Sequence, residues 1–273
     1  MGNETFGSYR QLEFAPIQAK IKKLQSDRRY RDGNGLFYAE GIRNFVEAVD
    51  YNYVIDTIIY SEKLLTSPIA RKLTRRLKRD GTPFARITPE QFRHISQTER
   101  SSGIAAIFKQ EILNLDQLNL DSHICWIALE NIRSLGNLGT LIRTSAATGS
   151  GGFIFIGEQI DPFDPSVVRA TMGALFKQKI ARATAEQFQK WVKSHQLQVV
   201  GATPDGSFDY DKICYTPPTV LLLGNERKGL TSDERRLCQK LVRIPMIEGT
   251  DSLNVAVAGS LLLYEVFRSS QQK

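Results

Sequence analysis

Three segments of this 273-residue chain carry side chains able to do chemistry, each at the end of an apolar, strand-forming run. The first, from Glu130 to Thr144, holds Asn131, Arg133, Ser134, Asn137 and Arg143. The second, Leu222-Leu223-Gly224-Asn225-Glu226-Arg227-Lys228-Gly229-Leu230, sets a carboxylate and two cations between two glycines. The third, from Ile244 to Ala256, combines Met246, Glu248 and Gly249 with Ser252, Leu253 and Asn254. Glycine lets backbone approach a ligand, while amide, hydroxyl, carboxylate and guanidinium groups hydrogen-bond it. About 80 and 20 residues separate the segments, so only a folded sheet could bring them together.

Two other stretches imitate nucleotide sites. Gly224 to Thr231 follows a strand and precedes a helix, as a phosphate-binding P-loop does, but that loop needs Lys directly after its second Gly. Leu230 stands there, and Lys228 lies on the wrong side. Gly149-Ser150-Gly151-Gly152 ends a helix and leads into a strand, the reverse of a dinucleotide fingerprint, and reads as a helix C-cap with a turn. No Gly-x-Gly turn follows the first strand of the second half, which disfavours a Rossmann-type methyltransferase or dehydrogenase. His94, His123 and His195 form no HxxxH pair, and Cys125, Cys214 and Cys238 are too scattered for a disulfide framework or a zinc knuckle. All six read as structural, and no metal is expected.

Alternating α/β elements must position the three segments. Phe14 to Leu24 has helical spacing, and the polar run Ser26 to Gly35 reads as a loop. A strand at Leu36–Glu40 enters a helix over Gly41–Asp50, and Val54–Tyr60 is a second strand. A helix over 67–80 follows, closed by Gly81, with short strands near 84–87 and 103–108. Residues 1–108 thus make one small α/β domain, 109–122 a connector and 123–273 a second domain. In the latter, strands at 125–129, 153–156, 198–202, 220–223 and 241–244 alternate with helices near 138–148, 165–174, 185–195, 232–239 and 253–268. Apolar strands joined by amphipathic helices imply a parallel sheet covered on both faces, with ligands beyond the carboxyl ends of its strands.

The chain has 36 Lys and Arg against 29 Asp and Glu, a net charge of +7. Residues 1–120 hold 19 basic and 14 acidic residues, so most of the excess lies there. It gathers in two clusters: Lys20, Lys22, Lys23, Arg28, Arg29 and Arg31, then Arg71, Lys72, Arg75, Arg76, Lys78 and Arg79. The second lies on a helix whose apolar positions are Ile69, Leu73 and Leu77, leaving the cations on the exposed face. Such faces suit phosphate-rich partners, because neutralising phosphates releases counterions; either cluster alone fits a solvated surface equally well. The apolar stretch Leu253–Tyr264 is broken by Asn254, Gly259 and Ser260, so no membrane span is expected. The first residues show neither a secretion signal nor a myristoylation site, since Phe6 stands where Ser or Thr is needed. A reducing, cytoplasmic setting is the expectation.

On the three segments, in this order and spacing, the chain resembles the SpoU/TrmH-type RNA ribose 2′-O-methyltransferases of the knotted SPOUT superfamily. Asp164-Pro165 through Arg169-Ala170 to Gly173-Ala174-Leu175-Phe176 matches a further stretch of that family, so the resemblance covers residues 123–268. The first domain is similar, more weakly, to the family's small substrate-binding domain at Ala39-Glu40-Gly41-Ile42-Arg43 and Gly103-Ile104-Ala105-Ala106. The resemblance implies a deep trefoil knot in the second domain, a homodimer with each active site completed across the interface, and S-adenosylmethionine held by the second and third segments. Gly224, Ile244 and Leu253 would bind this cofactor, with Met246 and Thr203 walling the adenosine pocket. Arg143 would be the catalytic arginine, with Asn137, Glu226, Ser252 and Asn254 around it. Arg28, Arg29, Arg31, Arg71, Lys72, Arg75 and Arg76 would grip RNA. The two-domain layout resembles ribosomal-RNA members more than transfer-RNA members; a tRNA enzyme and a non-catalytic RNA-binding or ribosome-assembly factor of the same fold are the alternatives.

Each assignment has a structural rival. Arg143 could be a helix arginine paired with Glu226, and Glu226 could serve only to orient Arg143. Asn137 could cap the helix that follows it, and Ser252 the helix from Leu253. Asn254, placed inside the first turn of an apolar helix, has no evident structural role. Leu135 stands where the family usually has Pro, which leaves that loop less rigid or differently shaped.

Overall fold

The computed structural model describes residues 10–120, 123–249 and 252–271. Readings placed on residues 1–9, 121–122 and 250–251 therefore lie outside the described residues. The chain divides into two units, one made of residues up to Gln110 with Phe163–Lys177, the other of Glu111–Pro162 with the residues from Gln178 onward.

The first unit opens with α1 (Phe14–Ser26), which buries Ile17, Ile21 and Leu24 at helical spacing. A second helix, α2 (Arg28–Asn34), occupies the run expected as a loop. Asp27 caps it by accepting from the Tyr30 N–H, and Gly35, at φ 60°, closes it in the left-handed conformation. The inward side chain of α2 is Arg31, only 2% exposed. Its guanidinium donates to the Leu24 carbonyl at 2.8 Å and lies 3.7 Å from the Asp164 carboxylate. Arg31 is thus a buried brace, which corrects its expected place on an RNA-facing surface: a buried charge keeps its partners close.

The unit continues through β1 (Leu36–Glu40), α3 (Ile42–Asp50), β2 (Ile55–Tyr60), α4 (Pro68–Arg79), β3 (Phe84–Arg86), α5 (Pro89–Arg93) and β4 (Ile104–Lys109). The sheet order is β1-β4-β2-β3, with β4 antiparallel to both neighbours. The short α5 was not foreseen; a Thr88–Gln91 capping box starts it. Helix α4 buries Ala70 and Thr74, with Leu73 and Leu77 half-buried and Ile69 54% exposed, so its inner stripe is turned one residue from the expected one. The cationic face still points outward at Lys72, Arg75 and Arg76. Arg71 is also exposed, although its guanidinium is tied to the carbonyls of Leu65 and Glu62. Arg29 is exposed, and Arg28 pairs with Asp32 at 3.2 Å.

The second unit begins with residues 111–120, where Leu113 exchanges backbone hydrogen bonds with Ile180 and Arg182, and Leu115 and Leu118 are buried. Next come β5 (Cys125–Leu129), α6 (Leu135–Ala147) and β6 (Gly152–Ile156). The following stretch, with α7 (Pro165–Thr171), belongs to the first unit. The rings of Phe163 and Phe176 at its two ends explain why. Phe163 lies 4.8 Å from Phe37, and Phe176 lies 4.9 Å from Phe108 and 5.0 Å from Tyr53. The second unit resumes with β7 (Lys179–Ala183), α8 (Ala185–Ser194), β8 (Gln198–Ala202), β9 (Phe208–Asp209), β10 (Thr219–Leu223), α9 (Ser232–Leu237), β11 (Lys240–Arg243) and α10 (Val255–Ser270). These strands form one parallel sheet in the order β7-β6-β5-β10-β8-β11-β9. Strands β5 and β10 are buried along their whole length, as expected for a sheet covered on both faces. Strands β7 and β9 fall in stretches with no strand expected from the sequence; β7, an edge strand, carries exposed Lys179 and half-buried Arg182 among buried Ile180, Ala181 and Ala183.

Candidate active site

Beyond the carboxyl ends of β8, β10 and β11 lies a cavity of about 440 Å³. The second and third segments line it together with the residues after β8. Thr203, Gly224, Ile244, Met246 and Leu253 all reach it, as do Glu226 and Ser252. Leu223, Val242 and Val255 add an apolar wall. Gly224 makes a close backbone approach: a Cβ there would collide with the Gly229 carbonyl group and the Leu230 nitrogen. The loop between them folds back on itself. Asn225 and Gly229 exchange backbone hydrogen bonds at 3.1 and 2.9 Å, and the Asn225 side-chain oxygen accepts from the N–H groups of Arg227 and Lys228.

One hydrogen-bonded network ties the three segments. Glu226 accepts from the backbone N–H groups of Arg133 and Ser134 at 3.1 to 3.2 Å and from the Asn137 amide at 3.4 Å. The Asn137 carbonyl oxygen in turn accepts from the Asn254 amide at 3.0 Å. Partial burial alone would push the Glu226 carboxyl up, but the N–H groups of Arg133 and Ser134, its own N–H and the Asn137 amide outweigh this and hold it below the usual carboxylate range. Glu226 is therefore ionised and a poor proton acceptor near neutrality.

The geometry changes several expectations. Ser134, not Asn137, caps α6, its hydroxyl accepting from the Asn137 N–H at 3.3 Å, so the Asn137 side chain is free to bridge Glu226 and Asn254. Asn254, not Ser252, caps α10, accepting from the Ala256 N–H at 2.8 Å and the Val257 N–H at 3.4 Å. This supplies the structural role that Asn254 lacked in the sequence. Glu226 organises the backbone before α6 and does not pair with Arg143. Leu135 is the first helical residue of α6 and is exposed, preceded by Ser134 at φ −81° and ψ 111°. Pro fits both that position and that preceding conformation. Leu135→Pro is therefore expected to stabilise the chain by about 0.5–1 kcal/mol, raising the melting temperature by a few degrees in calorimetry.

Arg143 lies on the solvent face of α6 with Gly136, Thr140 and Ala147, opposite the buried Leu138, Leu141 and Ile142. It makes no hydrogen bond or ion pair with any described residue, and it does not line the 440 Å³ cavity. Helix α10 packs on another face of α6, with Thr144 and Ser260 sharing a hydrogen bond at 2.9 Å. Its own outer face exposes Val257, Leu261 and Tyr264 at helical spacing.

Sequence reasoning passed over two residues at the cavity. Arg235 grips Asp205 with both arms at 2.8 and 2.9 Å and donates to the Thr203 hydroxyl at 2.9 Å. The Arg235 fork, then the Thr203 hydroxyl, hold the Asp205 carboxyl well below its usual range. The turn Thr203-Pro204-Asp205-Gly206 was visible, but a carboxylate and an arginine 30 residues apart carry no signal until β8 and α9 are placed.

The description SpoU rRNA Methylase family matches residues 125–264, and that of an MRM3-like substrate binding domain matches residues 18–106. The AdoMet-bound rRNA methyltransferase structure from Sinorhizobium meliloti is 33% identical and superposes with a TM-score of 0.85, over 94% of this chain and 97% of that one. The SpoU methyltransferase AviRb of Streptomyces viridochromogenes, in complex with AdoMet, is 27% identical with a TM-score of 0.83, over 93% and 98% of the two chains. A 23S rRNA (uridine(2479)-2′-O)-methyltransferase of the same organism is 29% identical over 252 residues, 90% of this chain and 87% of that protein. An uncharacterised tRNA/rRNA methyltransferase of Synechocystis is 33% identical over 144 residues, 52% of each chain.

Proposed function

The chain belongs to the SpoU rRNA methylase family, and on that premise we propose that it transfers a methyl group from S-adenosylmethionine to a ribose 2′-hydroxyl of ribosomal RNA. The observation that carries the reading is the convergence of Thr203, Gly224, Ile244, Met246 and Leu253 on one cavity, joined to Asn137 and Asn254 through Glu226. The residues present fit the cofactor. The cavity is of small-molecule size, its apolar wall suits adenosine, and the Thr203–Asp205 side offers acceptor oxygens for hydroxyl and ammonium groups. At Gly224 the missing Cβ lets the Gly229–Leu230 backbone close against the end of β10, which shapes the cavity wall. Bound there, S-adenosylmethionine supplies a methyl group activated by a sulfonium.

The protein's own part is positioning and electrostatics. A 2′-hydroxyl is a weak nucleophile, and in-line attack depends on holding it in place; its proton passes to solvent water as the new O–C bond forms and the sulfonium S–C bond breaks. The Arg143 cation near that hydroxyl lowers its pKa and clamps the adjacent phosphate; a guanidinium does not deprotonate, so it acts by charge and not as a base. Glu226, Asn137 and Asn254 are positioning residues that fix the loop before α6 against the second and third segments.

Arg143 acts across a homodimer interface in this reading. Two features of the second unit support that: Arg143 is exposed and outside the lining of its own cavity, and the apolar stripe of α10 is uncovered. The trefoil knot belongs to the same reading, supported by the packing of α10 against α6 and β10 and by the place of β10 between β5 and β8. The exposed cations Arg29, Arg71, Lys72, Arg75 and Arg76 of the first unit, with the half-buried Arg28 beside them, would hold RNA phosphates. Among the described residues no helix is long and apolar enough to cross a membrane, and no group of three side chains could hold a metal. A cytoplasmic site of action accords with an rRNA substrate.

The test is mass-spectrometric mapping of 2′-O-methyl sites in total RNA from cells with and without this gene. One methylation lost from an rRNA loop is the expected result. Loss confined to tRNA would keep the chemistry and replace the substrate. No change, together with failure to bind S-adenosylmethionine, would favour a non-catalytic RNA-binding factor.

A further inference from the structure

We infer that a second pocket, wholly within the first unit, takes one unpaired nucleotide of the RNA, its phosphate on Arg43, Arg100 and Arg169 and its base or ribose donors on Asn44 and Ser102. This rests on the RNA methyltransferase reading. The pocket, about 280 Å³, lies between the start of α3, residues 98–104 and the end of α7. It is separate from the cationic clusters of α1–α2 and α4.

Three observations converge there. Arg43, Arg100 and Arg169 line the pocket and are exposed, and no carboxylate among the described residues pairs with any of them. Helix α3 starts at Gly41, at φ 105°, with no side-chain cap, so its first N–H groups add to the positive potential. The third observation points to a ligand with donors as well as an anion. Asn44 is 8% exposed; its amide nitrogen donates to the Glu40 carbonyl at 2.8 Å, but its side-chain oxygen has no partner. The buried Ser102 hydroxyl has none either. Unpaired buried polar atoms are rare in folded proteins, and two of them in one pocket mark groups that a ligand would complete.

One acidic side chain also lines the pocket, and its charge is already committed. Glu40 accepts from the Thr98 hydroxyl at 2.7 Å, the Gln97 N–H at 3.0 Å, the Ser96 hydroxyl at 3.1 Å and the Tyr38 hydroxyl at 3.3 Å. These bonds fold residues 96–98 against the end of β1 and leave Arg43 and Arg100 without a partner among the described residues, while Arg169 donates to the Gln97 carbonyl at 3.5 Å. Met172, 46% exposed at the end of α7, and Ile42 give apolar surface. Phosphate contacts, an apolar platform and polar groups for a base edge are the combination by which proteins read unpaired RNA nucleotides.

The test uses the full chain and in vitro transcribed 23S and 16S rRNA in filter binding at several salt concentrations. Ser102→Ala removes an oxygen with no partner in the protein, so it is expected to leave the melting temperature unchanged or higher while weakening rRNA binding roughly three- to tenfold. Arg43→Gln and Arg100→Gln are each expected to weaken binding about tenfold and to lower the slope of log affinity against log salt by roughly 0.7. S-adenosylmethionine binding should be unaffected in all three. Wild-type affinity and slope in the variants would overturn the inference. Displacement by uridine 5′-monophosphate without any effect on rRNA affinity would also overturn it, in favour of a free nucleotide. If the wild-type chain binds neither rRNA, the function proposed above fails and this inference falls with it; wild-type methylation with unaltered variants rejects only the pocket.

Discussion

Arg143→Ala is expected to lower methyl transfer by about three orders of magnitude while S-adenosylmethionine affinity stays within about twofold of wild type. The separation follows from geometry. Arg143 is absent from the lining of the 440 Å³ cavity, and it caps no helix and pairs with no described residue. Removing it therefore leaves the Glu226 network and the fold of the second unit intact. What is lost is a cation near the ribose oxygen as negative charge grows on it, which is the contribution that matters most in a positioned site. Arg143→Lys keeps the charge but not the planar fork and should retain activity at about a tenth to a hundredth of wild type. Single-turnover transfer to rRNA, alongside calorimetric titration of S-adenosylmethionine, separates these outcomes. A Lys variant that binds RNA normally and is wholly inactive would show that the fork geometry, and not charge alone, is required.

Residues that act through sequence-local signals were legible, and those that act through partners were not. The parallel sheet followed from apolar runs such as Thr219–Leu223, buried end to end. The gathering of Thr203, Gly224, Ile244, Met246 and Leu253 at one cavity agrees with strand ends pointing the same way in such a sheet. Asn137 and Asn254 carry a visible signal, but which residue caps which helix does not. Ser134 and Asn254 lie within two to three residues of Asn137 and Ser252, and capping preference alone does not choose between Ser and Asn. Arg31 looked like its neighbours Arg28 and Arg29, and only the path of Leu24 and Asp164 makes it a buried brace. The place of Phe163–Lys177 in the first unit was equally hidden, because the aromatic contacts of Phe163 and Phe176 are with Phe37, Tyr53 and Phe108, far away in sequence.

Gly224→Ala is expected to weaken S-adenosylmethionine binding about a hundredfold, the equivalent of roughly 2.7 kcal/mol. The new methyl group would meet backbone, the Gly229 carbonyl and the Leu230 nitrogen, neither of which can swing aside as a side chain would. The loop over residues 225–229 must then move, and with it Glu226 and the cavity wall. Gly229→Ala is the control. Its Cβ would face open space, so the only cost is the positive φ of 65°, about 1 kcal/mol, and the loss should be at most about tenfold. Calorimetric titration of the two variants reads the difference directly.

Combining Gly224→Ala with Arg143→Ala in separate chains then tests how the site is assembled. If Arg143 serves the cavity of its own chain, a mixed dimer has one site lacking the cation and one lacking the cofactor, and both are dead. If Arg143 serves the partner's cavity, the Gly224→Ala chain lends its arginine to the intact cavity of the Arg143→Ala chain, and one site works. Random pairing makes half of the dimers mixed, so co-expression should restore roughly a quarter of wild-type transfer. The place of Arg143 on the solvent face of α6, together with the uncovered Val257, Leu261 and Tyr264 of α10, favours restoration. Two inactive parents with an inactive mixture would place the arginine with its own cavity, and α6 would then have to move to bring it there.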